Sequence, residues 1–261
     1  MALWELIAPR RALTTSKALR WLSNILLTVV NSVAVPIVFV GFMAVSMATF
    51  MGNHGWGLLN LIPLPYTLEV VFTVILFDCL IYWQHVLVHR VPMLWKFHRV
   101  HHSDTDLDVT SGARFHTIEI LLSMLLKLIA IAIIGPPALG ILLFEVILNG
   151  AAMFNHSNVK LPLSLDRILR LIIVTPDMHR VHHSVHRDET DSNFGFNLPW
   201  WDRLFGTYTA QPRDGHDGMT IGVHEFRDAR EQMLDRLLTQ PFREPPETEE
   251  NQEASTAKTE D

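Results

Sequence analysis

Four long apolar stretches decide what this chain can fold into. They run from about Trp21 to Met51, Thr67 to Val88, Ile118 to Ile134 and Ala138 to Phe154. Inside a bilayer every backbone N–H and C=O must be satisfied internally, and a helix of about 20 apolar residues suffices to cross. The pattern predicts an all-α integral membrane protein with about four transmembrane helices. The first stretch is long enough to cross with a kink at Pro36 or Gly41, and too long for the core of a cleaved signal peptide. The last two are short and flank the Gly135-Pro136-Pro137 break, so they read as a helical hairpin that crosses fully or dips in and returns. Composition agrees, with 49% hydrophobic and only 18% charged residues, where soluble domains carry roughly a quarter charged.

Lysine and arginine placement sets the orientation. Arg10, Arg11, Lys17 and Arg20 precede the first stretch, while residues 52–66 hold neither residue type. Arg90, Lys96, Arg99 and Arg114 follow the second stretch, and Lys160, Arg167 and Arg170 follow the fourth. Both termini therefore fall on the cytoplasmic side, in the inner membrane of a bacterium or in the endoplasmic reticulum of a eukaryote. Residues 1–20 read as a cytosolic segment, 21–210 as the membrane-embedded domain and 211–243 as a second cytosolic segment. Residues 244–261 hold seven acidic groups and one lysine, which accounts for the whole net charge of −6. With almost nothing apolar to bury, they read as a disordered tail. No basic stripe points to nucleic acid.

Histidine is the unusual residue, with 14 copies, against a single cysteine, Cys79, that excludes a disulfide framework and a Cys-based zinc site. The hexapeptide HRVHHS occurs at 98–103 and again at 179–184, with unrelated flanks. It reads as two half-sites of one centre and not as a duplication. His85 and His89 stand four apart, His98, His101 and His102 form one triplet, His179, His182 and His183 another, and His156 stands alone. Residues three or four apart share a helix face, so the first two histidines of each triplet are expected to aim at one point. The adjacent third, about 100° away, is expected to serve a second metal ion. So many imidazoles gathered without metal would repel one another whenever protonated.

Imidazoles suit iron, zinc, copper or nickel, and no HExxH peptidase motif is present. A redox-active iron pair fits best, since it can use O₂ to oxidise an unactivated C–H bond. Its place at the membrane face predicts a lipid substrate. Four ionisable groups, Glu69, Asp78, Lys127 and Glu145, stand at membrane depth. Asp78 lies two turns before His85 and Glu145 three turns before His156, so each is expected to accept an imidazole N–H; pairing with Lys127 inside the bundle is the alternative.

The motifs HVLVH (85–89), KFHRVHHS (96–103), RFHTIE (114–119), FNHSNV (154–159) and TPDMHRVHHS (175–184), with the closing string at 189–208, resemble the fatty acid hydroxylase superfamily, also called the sterol desaturase family. The resemblance covers roughly residues 70–210. It implies a non-haem di-iron centre, O₂ as co-substrate, hydroxylation or desaturation of a lipid, and four membrane helices under a cytosolic His-bearing cap. Carried over residue by residue, it implies His85, His89, His98, His101, His102, His156, His179, His182 and His183 as ligands. Some members place a further histidine where this chain has Ala152, so water, Asn155 or His116 is expected to complete the shell. His186 reads as a surface residue, His54, His216 and His224 as ordinary, and the closing string as packing for the cap, with Asp202 and Arg203 in local hydrogen bonds. Neither the HPGG signature of a cytochrome b5 module nor cysteines for an iron–sulfur cluster are present, which implies a separate reductase, cytochrome b5-like or ferredoxin-like donor. Two rivals come from other classes. A zinc-dependent membrane hydrolase acting on a lipid would work without oxygen. A metal-transport or metal-sensing protein would line a path across the membrane with ligands, whereas these histidines fall on one side.

Overall fold

The computed structural model describes residues 1–40 and 42–244, so the acidic tail lies outside the described residues except for Glu244. Among the described residues the chain is all-helical, with two isolated bridges and no strand. Its long helices are α2 (Lys17–Val38), α4 (Tyr66–Arg90), α6 (Thr117–Ile134) and α7 (Ala138–Asn155), preceded by a short α1 (Ala2–Ile7) and interspersed with α3 (Ala44–His54) and α5 (Pro92–His102). Six short helices follow: α8 (Leu163–Leu169), α9 (Pro176–His182), α10 (Arg187–Thr190), α11 (Trp200–Leu204), α12 (Gly215–Gly218) and α13 (Leu234–Thr239). The helices α2, α4, α6 and α7 are each long and apolar enough to cross a membrane.

The kink expected in the first stretch is a break. Helix α2 ends at Val38, two residues after Pro36, and α3 starts afresh at Ala44. The N-terminal half of α2 lies among the polar segments, where Leu27 packs with Val100 of α5 and Leu237 of α13. At Asn31, which accepts from the Thr117 hydroxyl, α2 meets the start of α6. Helix α3 then continues along α6 and α7, and the chain after it meets the far end of their hairpin. There Gly135 closes α6 at φ 62°, against the carbonyl of Trp56. A Cβ on Gly135 would come within 2.3 Å of that oxygen, so only glycine fits both the left-handed turn and the contact. The hairpin arms are 18 residues each, or about 27 Å at 1.5 Å per residue.

Buried between the helices are Phe77 of α4 and Phe144 of α7, their ring centroids 5.5 Å apart, together with Ile81, Ile131 and Ile141. The opposite faces carry exposed Leu125, Ile129 and Ile133 on α6 and Leu142, Val146 and Ile147 on α7. Such contiguous apolar surface would be unstable in water and is suited to lipid.

The polar end is tied down by buried charge. Arg20 of α2 is fully buried; its Nε donates to Asp104 Oδ1 at 2.6 Å, one terminal nitrogen to Asp108 at 2.7 Å and the other to Asp104 Oδ2 at 2.9 Å. Arg114 stands 3.8 Å from Asp104 and donates to Val100, Ser103 and Gln232. Burial pushes the Asp104 carboxyl up, but the Arg20 and Arg114 guanidiniums outweigh it and hold it at about 2. Because the folded value is depressed below the ordinary value of about 4, this contribution to stability is complete above that pH. It is lost as pH falls toward 2. Unfolding of the detergent-purified protein in urea is therefore expected to become easier across that interval.

Candidate metal centre

Three short helix ends deliver the histidines. The last turns of α4 carry His85 and His89, the last turn of α5 carries His98, His101 and His102, and α9 carries His179 and His182 with His183 as its C-cap. Pro92 opens α5 at its first turn, and Thr175 caps α9 before Pro176 by accepting from the Met178 N–H, both regular starts for short helices. His156 follows the end of α7. All nine are at most 3% exposed.

They form two groups. His85, His89, His98, His102 and His182 gather at one point, and His101, His156, His179 and His183 at another, with the nitrogens of each group within 4.8 Å of one another. Each triplet therefore divides differently from the sequence expectation. The first and third histidines, at i and i+4, share a group, and the middle one is the outlier. His101 leaves its own helix's pair to join His179 and His183, and His182 crosses the other way to join His98 and His102. Positions i and i+4 are offset by about 40° around a helix and i and i+3 by about 60°, so the closer pair stays together. Each group thus depends on both hexapeptides. The groups abut, with the rings of His102 and His183 stacked at 4.5 Å.

The nitrogens are set to bind a cation. His85 Nδ1–H donates to the Phe194 carbonyl at 2.7 Å, His182 to Ser192 at 2.7 Å, His156 to Ala152 at 2.7 Å and His101 to Arg114 at 3.2 Å. His98 Nδ1–H donates to Glu119 at 2.6 Å and His89 to Asp191 at 3.3 Å. A proton on Nδ1 leaves Nε2 with a bare lone pair. The Nε2 atoms of His85, His89, His98 and His182 are buried with no partner. In the four-histidine group Nε2 atoms face one another, at 3.1 Å from His101 to His156, 3.0 Å from His156 to His179 and 3.3 Å from His179 to His183. His101 and His156 carry their protons on Nδ1, so the contact between their Nε2 atoms brings together two bare lone pairs, which repel unless a cation lies between them. Ligands about 3 Å apart are what metal–nitrogen bonds of roughly 2.0–2.1 Å produce around one ion. Burial holds His156 down at about 4 and His182 at about 3. Burial followed by the neighbouring imidazoles holds His101, His102, His179 and His183 well below the usual range. All six stay neutral near pH 7, the form that ligates.

Two carboxylates on the imidazoles, Glu119 and Asp191, have no signal in histidine spacing alone, although Glu119 lies inside the RFHTIE motif. Removing the acceptor on a ligand imidazole weakens metal binding about 10–100-fold. Glu119→Ala is expected to do so, read as a shift in the metal concentration needed for half-loading. The closing string, expected only to pack, does more, since its Asp191, Ser192 and Phe194 all hold imidazoles. Asp202 accepts from Phe194 N–H at 2.7 Å and Gly195 N–H at 2.9 Å, and a Cβ on Gly195 would come within 2.7 Å of that carboxylate.

The residues expected beside the imidazoles have other partners. His116 caps α6, accepting from Ile118 N–H, and its Nε2 meets the Leu238 carbonyl. Asp78 accepts from the Trp201 indole at 2.8 Å, Asn155 donates to the Phe196 carbonyl and Glu145 pairs with Lys127 at 2.7 Å. His186 is half-buried beside Asp214. His216 is less ordinary than its sequence context implied, being buried with Asp177 3.9 Å away.

A cavity of about 680 Å³ opens from the five-histidine group into the helices, lined there by His85, His98, Phe115 and Phe196. That volume lies within the range of small-molecule sites.

Comparison with known proteins fits this geometry. The family model described as fatty acid hydroxylase matches residues 70–207. The ornithine lipid hydroxylase OlsE of Rhizobium tropici is 34% identical over 149 residues, 57% of this chain and 44% of that protein. The alkylglycerol monooxygenase of Homo sapiens is 30% identical over 154 residues, 58% of this chain and 33% of that one. The cholesterol 25-hydroxylase of Rattus norvegicus is 27% identical over 165 residues, 63% and 54% of the two chains. The chain thus spans less than half the length of the first two relatives, and no solved structure matches it. Residues 70–207 make up more than half of the sequence and include all nine clustered histidines; the chain belongs to the fatty acid hydroxylase family.

Proposed function

We propose that this protein is an O₂-dependent, di-iron lipid hydroxylase or desaturase working at the cytoplasmic face of its membrane. The observation that carries the reading is the pair of abutting imidazole groups, with bare and unpartnered nitrogens, at the inner end of a cavity set among apolar helices. His85, His89, His98, His102 and His182 would hold one iron ion, and His101, His156, His179 and His183 the other. The iron pair, when bound and reduced by a separate electron-donor protein, supplies the O₂ chemistry needed to oxidise an alkyl C–H bond.

The chain's own residues orient and shield. Carbonyls of Ala152, Ser192 and Phe194 and the carboxylates of Glu119 and Asp191 fix the imidazole rings. Phe115, stacked on His101 at 4.3 Å, and Phe196, 5.3 Å from His85, present apolar walls that seat a lipid chain and keep water away. The activities for which the relatives are named, hydroxylation of an ornithine lipid and of cholesterol and oxygenation of alkylglycerols, support an oxidised lipid product. Supplying heavy-isotope O₂ to cells that express the protein tests the reaction. A hydroxylase is expected to place the heavy atom in a lipid that control cells lack, and a desaturase to give a new alkene only in the presence of O₂. A new lipid product formed equally without oxygen would contradict both and favour the zinc hydrolase.

A further inference from the structure

The far part of the cavity is polar where the bilayer is least so. Lys127 of α6 and Glu145 of α7 line it as an ion pair at 2.7 Å, their side chains 10% and 24% exposed. Close by, the Ser123 hydroxyl donates to Gln84, and both line the same cavity. The exposed lining residues Ser32 and Pro36 of α2, Met43 before α3 and Asn149 and Met153 of α7 open the cavity on the outer surface of these helices, toward lipid. A buried ion pair is a poor way to stabilise a helix bundle, because desolvation offsets its attraction. It does, however, leave capacity for a ligand. The ammonium has three donors and gives one to Glu145, and the carboxylate keeps lone pairs free. Because the pair is neutral as a whole, it offers a charged group no net attraction to offset the cost of desolvating it at membrane depth. A neutral group that both donates and accepts can bridge the two.

Resting on the oxygenase reading, we infer that Lys127 and Glu145 form a polar subsite, and that the substrate is a lipid with an amide or hydroxyl group along its chain. Helix geometry sets the reach. Lys127 lies eight residues beyond Glu119, the residue that holds His98, and Glu145 lies seven before Ala152, which holds His156. At 1.5 Å per residue these are spans of about 12 Å and 10 Å, so the oxidised carbon stands about that far from the polar group.

Native mass spectrometry of the detergent-purified protein, with hexadecanamide, hexadecyl methyl ether and hexadecane as probes, tests the subsite without turnover. The wild type is expected to favour the amide about tenfold or more, the effect of hydrogen bonds to charged partners. The double variant Lys127→Met with Glu145→Leu replaces the pair with apolar groups. It is expected to keep its hydrocarbon binding, which reports that it is folded, and to lose the preference for the amide. No preference in the wild type, or the same preference in the double variant, would overturn the inference. Wild-type oxidation of all three probes alike would also overturn it while leaving the oxygenase standing. Selective binding with no O₂-dependent oxidation of any lipid would do the reverse.

Discussion

Alanine at His101 is expected to lower the metal content from about two ions per chain toward one and to reduce turnover by at least about 100-fold. The second figure is the upper end of what is lost when only the partner of a ligand imidazole is removed. The reason lies in the crossing-over of the two hexapeptides. His101 sits on α5 but belongs with His156, His179 and His183, so its loss takes the smaller group from four imidazoles to three. His182→Ala removes a ligand from the larger group and leaves four, so it is expected to retain more metal while also losing turnover. The asymmetry separates the interleaved arrangement from one in which each hexapeptide serves its own ion, where His101 would belong to the five-histidine group and His182 to the four-histidine group and the asymmetry would reverse. Metal analysis of each purified variant, run beside a turnover assay, reads both effects. Full activity in either variant would refute a shared site.

Asp104→Ala is expected to destabilise the fold by about 3–5 kcal/mol, the range for breaking a buried pair by removing one partner. Arg20 would then keep only Asp108 and the Ser111 hydroxyl beside the Asp106 carbonyl, and Arg114 would lose its nearest carboxylate, both guanidiniums being fully buried. Because this cluster joins α2 to the segment directly after the first hexapeptide, the loss is also expected to loosen the ends of α2 and α5. Arg20→Met combined with Asp104→Leu removes both charges and is expected to recover part of the loss. Thermal unfolding of Arg20→Met, Asp104→Leu and the double variant gives the coupling directly. Strictly additive effects would show that the two charges do not act as a pair.

Much of this was legible from residue order. The four spans announce themselves because hydrocarbon admits little besides apolar helices, and the histidines because their clustering has no inexpensive explanation without metal. What one-dimensional reading lost was rotation and distance. Spacing says that His98 shares a face with both His101 and His102. Which of them meets the histidines of α4 depends on how α5 crosses α4 and α9. In the same way, Arg20 and Asp104 stand 84 residues apart, and nothing local marks them as partners. The acceptors on the imidazoles were hidden for a different reason, since backbone carbonyls at Ala152, Ser192 and Phe194 carry no side-chain signature. Asp78 shows the converse error: it has the helical spacing to reach a histidine but accepts from Trp201. For Glu145 spacing left two readings open, and the pairing with Lys127 is the one the fold adopts.

The two interleaved groups are tested most directly by counting iron in protein purified without chelators from aerobically grown cells. The account predicts two iron ions per chain in the wild type, about one in His101→Ala, and more than that in His182→Ala. A wild type that holds a single ion, or that carries zinc and remains active in the absence of oxygen, would contradict it.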